Sequence, residues 1–166
     1  DFCLSRGLGD VYKRQGSVIK QQASTVTLTG SNSYSGTTTI SAGTLQIGAG
    51  STTGTLGSGA VTNNATLSFN RSDDVTVANA ISGTGALTKL GSNTLTLTAN
   101  NTYAGTTTIS AGTLVLQNDA LSSTSRIFAG SGLLRIESAG TTFTSALDTS
   151  TWNFGNQLTG LTIGKS

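Results

Sequence analysis

The sequence predicts an all-β protein, a parallel β-helix solenoid with almost no helix. The first observation is a repeat, because residues 25–45 and 94–114 are identical at 16 of 21 positions without a gap. The second is that apolar residues alternate in short bursts, which is the pattern of strands with one buried face. The third is that Thr, Ser, Gly and Asn supply 86 of 166 residues, a composition that favours strands joined by turns.

Residues 1–15 differ in composition from the rest of the chain. They hold five of the sixteen charged residues and the single Cys. Residues 5–15, SRGLGDVYKRQ, resemble the translation of a transposon-derived sequencing adapter. We therefore expect residues 1–15 to be a non-native, adapter-derived segment that contributes nothing to the fold. The alternative is a genuine basic N-terminal region.

Residues 16–117 contain the repeat and the clearest strand pattern. Pairs of apolar residues two positions apart recur about every ten residues, as in Val26/Leu28, Leu45/Ile47, Leu67/Phe69, Leu95/Leu97 and Leu114/Leu116. A sandwich or barrel explains such strands equally well. Only a solenoid also explains a fixed-period repeat, because each unit stacks on its neighbours.

The repeat also predicts the dimensions of the solenoid. The offset between the two copies, from residue 25 to residue 94, divides into three coils of about 23 residues each. Tyr34 and Tyr103 occupy equivalent positions in the two copies. We therefore expect these tyrosines on the same side of the rod, about 15 Å apart, since each coil advances the axis by one strand spacing.

The predicted organisation has three parts. Residues 1–15 form the adapter-derived segment, and residues 16–117 form a β-helix with repeats at about 25–47 and 94–116. Residues 118–166 depart from the repeat and are expected to form more divergent β coils, truncated at the C-terminus.

The composition excludes several classes of function. The chain has no His, the commonest general base, and one Cys is too few for an internal disulfide or a zinc cluster. The net charge of +2 is too small for a nucleic-acid surface. The basic residues Lys20, Arg71, Lys89, Arg126 and Arg135 are scattered along the chain. We expect no cofactor, no metal and no nucleic-acid partner.

Few residues are candidates for chemistry. Asp73 and Asp74 are the only adjacent acidic pair, but neighbours on a strand point to opposite faces, so a solvated turn is the simpler interpretation. Residues 160–166, GLTIGKS, resemble a phosphate-binding loop but lack its first Gly, because position 159 is Thr. The other acidic residues of 16–166, which are Asp119, Glu137 and Asp148, are isolated. We expect no catalytic, cofactor-binding or metal-binding residues.

Aromatic side chains offer one further candidate for binding. Tyr34 and Tyr103 either form a platform for stacking sugars or pack over the turn that begins each coil. Trp152 and Phe154 lie two positions apart and are expected to share one strand face.

The repeated segments also carry a family resemblance. Residues 32–45, NSYSGTTTISAGTL, and 101–114, NTYAGTTTISAGTL, resemble the autotransporter passenger-associated β-strand repeat. Residues 57–97 resemble the spacer that accompanies this repeat. The resemblance implies a secreted or surface-displayed bacterial protein of type V secretion, with a right-handed β-helical passenger and an outer-membrane translocator barrel in the parent chain.

Three functions remain open from the sequence. The first is a structural stalk or presentation scaffold within an adhesin passenger, which a near-identical repeat suits best. The second is a carbohydrate-active β-helical enzyme, and the third is a surface-binding module that uses threonine ladders. Host-surface or glycan ligands are expected to bind through the full-length protein. We also expect the exposed ends of a β-helix fragment to associate end to end.

Overall fold

The computed structural model describes residues 4–5, 11–14, 16–117, 127–138, 153–154 and 159–164. All regular secondary structure in these residues is β. The strands are β1 (Leu4–Ser5), β2 (Val11–Arg14), β3 (Ser17–Lys20), β4 (Thr25–Leu28), β5 (Thr38–Ile40), β6 (Thr44–Ser51), β7 (Val61–Asn63), β8 (Thr66–Arg71), β9 (Val75–Val77), β10 (Ile81–Ser82), β11 (Ala86–Lys89), β12 (Thr94–Leu97), β13 (Thr107–Ile109), β14 (Thr113–Gln117), β15 (Ile127–Ala129), β16 (Leu133–Glu137), β17 (Asn153–Phe154) and β18 (Gly160–Ile163).

The strands form three sheets. Sheet 1 has the order β1-β4-β6-β8-β11-β13-β15-β17, sheet 2 the order β10-β7-β5-β3-β2, and sheet 3 the order β18-β16-β14-β12-β9. Apart from the antiparallel pairs β1–β4 and β2–β3, every pairing between described strands is parallel. Parallel neighbours that come from successive passes of the chain define a solenoid, so the predicted fold class is confirmed.

The chain visits the sheets in a fixed cycle. It passes from sheet 2 to sheet 1 and then to the side of sheet 3, and from β4 to β17 it completes about six turns. In the first two turns, residues 29–37 and 52–60 cross the side of sheet 3 without forming a strand. Between β12 and β13, residues 98–106 likewise cross the side of sheet 2.

The core consists of rows of side chains that point into the solenoid and stack from coil to coil. One row of sheet 1 is buried from the first coil to the sixth: Val26, Leu45, Leu67, Leu87, Thr107 and Phe128. Sheet 3 contributes a second row, Val77, Leu97, Leu116 and Ile136. Burial of these side chains is the main favourable term in stability.

The predicted division of the offset into three equal coils was wrong. Thr25 pairs with Thr44, Thr44 with Thr66, and Thr66 with Ala86, so these coils of sheet 1 are unequal in length and each is shorter than predicted. The offset between the two repeats therefore makes three coils and one additional side. As a result β3 and β5 of the first repeat lie in sheet 2, whereas the equivalent β11 and β13 lie in sheet 1.

The expected alignment of the two tyrosines fails for the same reason. Tyr34 lies between β4 of sheet 1 and β5 of sheet 2, on the side of sheet 3. Tyr103 lies between β12 of sheet 3 and β13 of sheet 1, on the side of sheet 2. The second repeat is thus turned one side further round the solenoid than the first.

Two short parts of the N-terminal segment pair with the first coil, although we expected residues 1–15 to contribute nothing to the fold. β1 lies antiparallel to β4, with Leu4 opposite Leu28. β2 lies antiparallel to β3, with Val11 opposite Lys20. These pairings occupy the outer edges of sheets 1 and 2. The adapter origin of the segment stays a prediction, as does the division of the chain at residue 117.

Candidate functional site in the repeat

Two buried lysines occupy equivalent positions in the two repeats. Lys20 ends β3 and Lys89 ends β11, and their exposed fractions are 0% and 1%. Each follows the period-two pattern of its strand and points inward, after Val18 in one copy and Leu87 in the other. A buried ammonium needs hydrogen-bond acceptors because its desolvation is costly.

Each lysine meets that need at the turn after its own strand. Lys89 Nζ donates to the carbonyl oxygen of Gly91 at 2.6 Å, to Asn93 Oδ1 at 3.1 Å, and across the coil boundary to the carbonyl oxygen of Ala111 at 3.2 Å. Lys20 Nζ donates to the equivalent carbonyls of Gln22 and Ala42. Both side chains therefore join two successive coils at one corner.

Burial also changes the acidity of the second lysine. It lowers the pKa of Lys89 from its ordinary value of 10.5 to about 8, and the nearby Asp74 carboxylate opposes the shift. Charge at this corner consequently depends on pH in the mildly alkaline range.

The repeated tyrosines lie inside the solenoid. Tyr34 Oη is 2.7 Å from Thr38 Oγ1, and Tyr103 Oη is 2.9 Å from Thr107 Oγ1. Both rings are buried. Neither ring therefore offers an exposed platform for stacking a sugar, and each instead satisfies its hydroxyl with an inward threonine of the same coil.

The two adjacent aspartates are held apart by different partners. Arg71 binds Asp73 through two hydrogen bonds of 2.8 and 2.7 Å, and this guanidinium lowers the pKa of the Asp73 carboxyl. Asp74 Oδ1 accepts a hydrogen bond from the backbone N–H of Thr94 at 2.7 Å in the next coil. The first carboxylate thus pairs with a cation while the second caps a strand, which is the arrangement of a structural turn.

Among the other sequence candidates, Glu137 and Gly160–Ile163 lie within the described residues. Glu137 pairs with Arg135 at 2.5 Å. Gly160–Ile163 forms strand β18, whereas Lys165 and Ser166 of the loop-like motif lie outside the described residues. Asp119, Asp148, Trp152 and the side chain of Phe154 also lie outside them.

The described outward threonines of sheet 1 form only short ladders. On sheet 1, Thr25, Thr44 and Thr66 are neighbours, but the row continues with Ala86. A second outward-phase row of sheet 1 contains Thr27, Gln46, Ser68, Thr88 and Thr108. A flat surface of regularly spaced hydroxyls is therefore interrupted on this sheet.

A small cavity lies where sheet 3 begins. It has a volume of about 80 Å³, and its lining includes Ile47, Leu56, Phe69, Val75 and Val77. Pockets for small ligands are usually several hundred Å³, so this cavity is too small to enclose a sugar or nucleotide.

Two common structural features are absent from the described residues. No group of three or more His, Cys, Asp or Glu side chains there is arranged to bind a metal ion. Likewise, that part of the chain contains no helix of the length and apolarity needed to cross a membrane.

Comparison with known proteins identifies the repeat. Residues 18–47 and 87–116 match the family described as passenger-associated-transport-repeat. The chain carries two autotransporter passenger repeats. Each passenger repeat begins at the strand that ends in a buried lysine and extends through the next coil, so it starts one strand before the boundary expected from the sequence.

A curated relative supports the same assignment. The chain is 44% identical over 84 residues to "Adhesin BmaC autotransporter" of Brucella suis biovar 1 (strain 1330), an alignment that covers 51% of this chain and 2% of that protein. No solved structure matches the chain. The passenger repeats and this relative support a location at the cell surface or in association with the outer membrane.

From the sequence, Lys20 and Lys89 were counted only among basic residues scattered along the chain, and their structural role was missed. Two signals were available: both lysines occupy the same position in the passenger repeats, and both fall on the inward phase of the period-two pattern. The long aliphatic stem of lysine is compatible with such burial when its end reaches acceptors.

Proposed function

We propose that this chain is a structural section of an autotransporter adhesin passenger, a stalk or presentation scaffold that holds other parts of the protein away from the cell. The proposal rests on the uninterrupted row from Val26 to Phe128, which runs through both passenger repeats and the residues between them. A continuous core holds successive coils in a fixed arrangement along the axis, which is what a scaffold requires.

The buried lysines and tyrosines support the same function. Lys20, Lys89, Tyr34 and Tyr103 all direct their polar atoms to partners within the chain. Asp73 and Asp74 are likewise engaged by Arg71 and Thr94. Side chains that are already satisfied by the fold stabilise it and have little capacity left for a substrate.

In the parent protein we further propose an outer-membrane translocator barrel and ligands on a host surface, including glycans, that bind elsewhere than in this core. The Brucella relative is named an adhesin, and it is far longer than this chain. Adhesion by the whole protein and support by this section are therefore compatible roles.

The experiment is a comparison of the purified chain with two matched variants, Asp73→Asn and Asp74→Asn. The scaffold proposal predicts no turnover in a panel of polysaccharides for any of the three, together with uniform protection of backbone amides from hydrogen exchange in β4, β6, β8 and β11. Turnover by the unmodified chain that either variant abolishes would contradict it. Rapid exchange confined to one coil would also contradict it, because a locally unfolding coil cannot support a stalk.

A further inference from the structure

We propose that the passenger repeat is an angular step, which turns one exposed strip of the molecule a single side round the solenoid from each repeat to the next. This inference rests on the proposed scaffold function and says how that scaffold distributes its surface. The strip is defined as residues 29–37 in the first repeat and residues 98–106 in the second.

The strip has the same construction in both copies. Its outward side chains include Ser31, Ser33 and Ser35 in the first copy, and Asn100, Thr102 and Ala104 in the second. Neither strip contains a charged residue. Each strip connects two strands of different sheets, and it crosses one side of the solenoid without forming a strand there.

Internal anchors hold each strip in the same way. Asn32 Nδ2 donates to the carbonyl oxygen of Gly30 at 3.1 Å, and Asn101 Nδ2 donates to the equivalent carbonyl of Ala99 at 2.7 Å. The tyrosine two residues later bonds its inward threonine in both copies. The conformation of the strip is therefore set by the repeat and not by the side on which it lies.

Each strip also contacts a neighbouring coil among the described residues. Asn32 contacts the following coil, where its backbone N–H donates to Thr55 Oγ1 at 2.8 Å. Asn101 contacts the preceding coil, where its Oδ1 accepts from the backbone N–H of Ile81 at 2.9 Å. One anchored unit thus fits two different sides of the solenoid, which is the property that a stepping repeat needs.

The step follows from coil length. Coils are unequal, as the successive partners Val18, Thr38 and Val61 of sheet 2 show, and whole coils do not fill the offset between the repeats. The first strip therefore lies on the side of sheet 3 and the second on the side of sheet 2.

The step has a consequence for the surface of a longer passenger. With three sides, three successive units return the strip to its starting side. A passenger with several such units therefore presents uncharged hydroxyl and amide groups in every direction around its axis. Such a surface suits a partner that is present in many copies and approaches the passenger from any side.

Distances between spin labels test the step in the full chain. In a Cys3→Ser background, one sample carries Ser33→Cys with Thr96→Cys and the other carries Ser33→Cys with Thr102→Cys. Ser33 and Thr96 share the side of sheet 3 three coils apart, so we expect about 15 Å between their backbones. Thr102 lies on another side, and we expect its distance from Ser33 to be the longer of the two.

The reverse order of these two distances would overturn the proposal. If every unit presented its strip on one side, Thr102 would lie directly along the axis from Ser33, and the Ser33–Thr102 distance would be the shorter or equal one. Turnover of a polysaccharide would defeat the scaffold function and leave these distances unchanged, so the two failures are distinguishable.

Discussion

At the scale of single residues, stability is expected to come from the inward rows. Leu97 is buried between Val77 and Leu116, its neighbours in adjacent coils of sheet 3. Leu97→Ala is expected to lower the free energy of unfolding by about 2–5 kcal/mol, through lost burial and the resulting cavity. The control is the outward neighbour Thr96→Ala, for which we expect well under about 1 kcal/mol. Equal losses in chemical denaturation would show that the strand faces are assigned wrongly.

Lys89 is expected to make the free energy of unfolding depend on pH, and substitution of Lys89 is expected to remove its contribution. Between pH 8 and 10.5 the unfolded chain binds a proton at this lysine that the folded chain has released. The free energy of unfolding is therefore expected to rise with pH through this window, because the cost of burying a charge disappears there. The measurement is urea denaturation at several pH values for the unmodified chain and for Lys89→Met.

The test compares how steeply the free energy of unfolding rises with pH in the two proteins. Other groups titrate in the same range, but they are common to both proteins and cancel in the difference. We expect a smaller rise for Lys89→Met than for the unmodified chain. Parallel pH profiles would contradict the lowered pKa.

At the scale of elements, the turn after the third strand of each repeat depends on glycine. Gly112 has φ +69°, and a Cβ there would overlap the carbonyl oxygens of Ser92 and Asn93 in the preceding coil. Gly112→Ala is expected to cost more than about 2 kcal/mol, since steric overlap adds to the roughly 1–2 kcal/mol of a left-handed backbone.

Gly50 is the matched control for that turn. It has a similar φ of +80°, but the nearest atom to a Cβ there is Asn70 Oδ1 at 4.0 Å. Gly50→Ala is therefore expected to cost only about 1–2 kcal/mol. Equal destabilisation of the two variants in thermal denaturation would show that close stacking of coils does not govern the turn.

The sequence predicted the elements better than their placement. Period two and the repeat were sufficient for the strands and for parallel stacking, because Leu, Val and Ile alternate so regularly. They were not sufficient for the side on which each strand lies, because all three sheets use the same inward aliphatic residues. Leu87 of sheet 1 and Val18 of sheet 2 are equivalent in sequence, so similarity alone does not reveal the step between them.

Polar residues show the same limit at the candidate site. A turn at Asp73 and Asp74 was anticipated from composition, but the bond from Thr94 of the next coil to Asp74 was not. The acceptors of Lys89 were not, because Ala111 lies in the next coil and only the register brings it near. Contacts across coils depend on coil length, which was the quantity estimated least well.

At the scale of the whole molecule, the exposed residues of the last described strand are expected to drive association. Leu161 and Ile163 are 43% and 51% exposed, although their neighbours Leu134 and Ile136 in the same inward rows are buried. Residues 16–166 carry a net charge of only +1, from six basic and five acidic side chains, so repulsion between copies is weak. Sedimentation velocity is expected to show assemblies that grow with concentration.

Matched variants test whether association depends on Leu161 and Ile163 or on any exposed apolar side chain. The double variant Leu161→Lys/Ile163→Lys is expected to shift the chain to monomer. Leu133→Lys changes a similarly exposed leucine in the outward row of β16 and is expected to associate like the unmodified chain. A clean monomer of the unmodified chain at high concentration would contradict the prediction. Removal of residues 1–15 frees the edges of β3 and β4, so we expect larger assemblies from the shortened chain.

The central claim is that the chain forms a parallel solenoid in which residues about twenty positions apart lie side by side. Thr88 and Thr108 are direct partners on β11 and β13, so their backbones are about 5 Å apart. In a Cys3→Ser background, dibromobimane, which fluoresces only when it bridges two nearby thiols, is expected to react with Thr88→Cys/Thr108→Cys. It is expected to leave Thr88→Cys/Thr96→Cys unbridged, because those residues lie on different sheets despite their closeness in sequence. Bridging of the second pair and not of the first in the folded protein would contradict the solenoid.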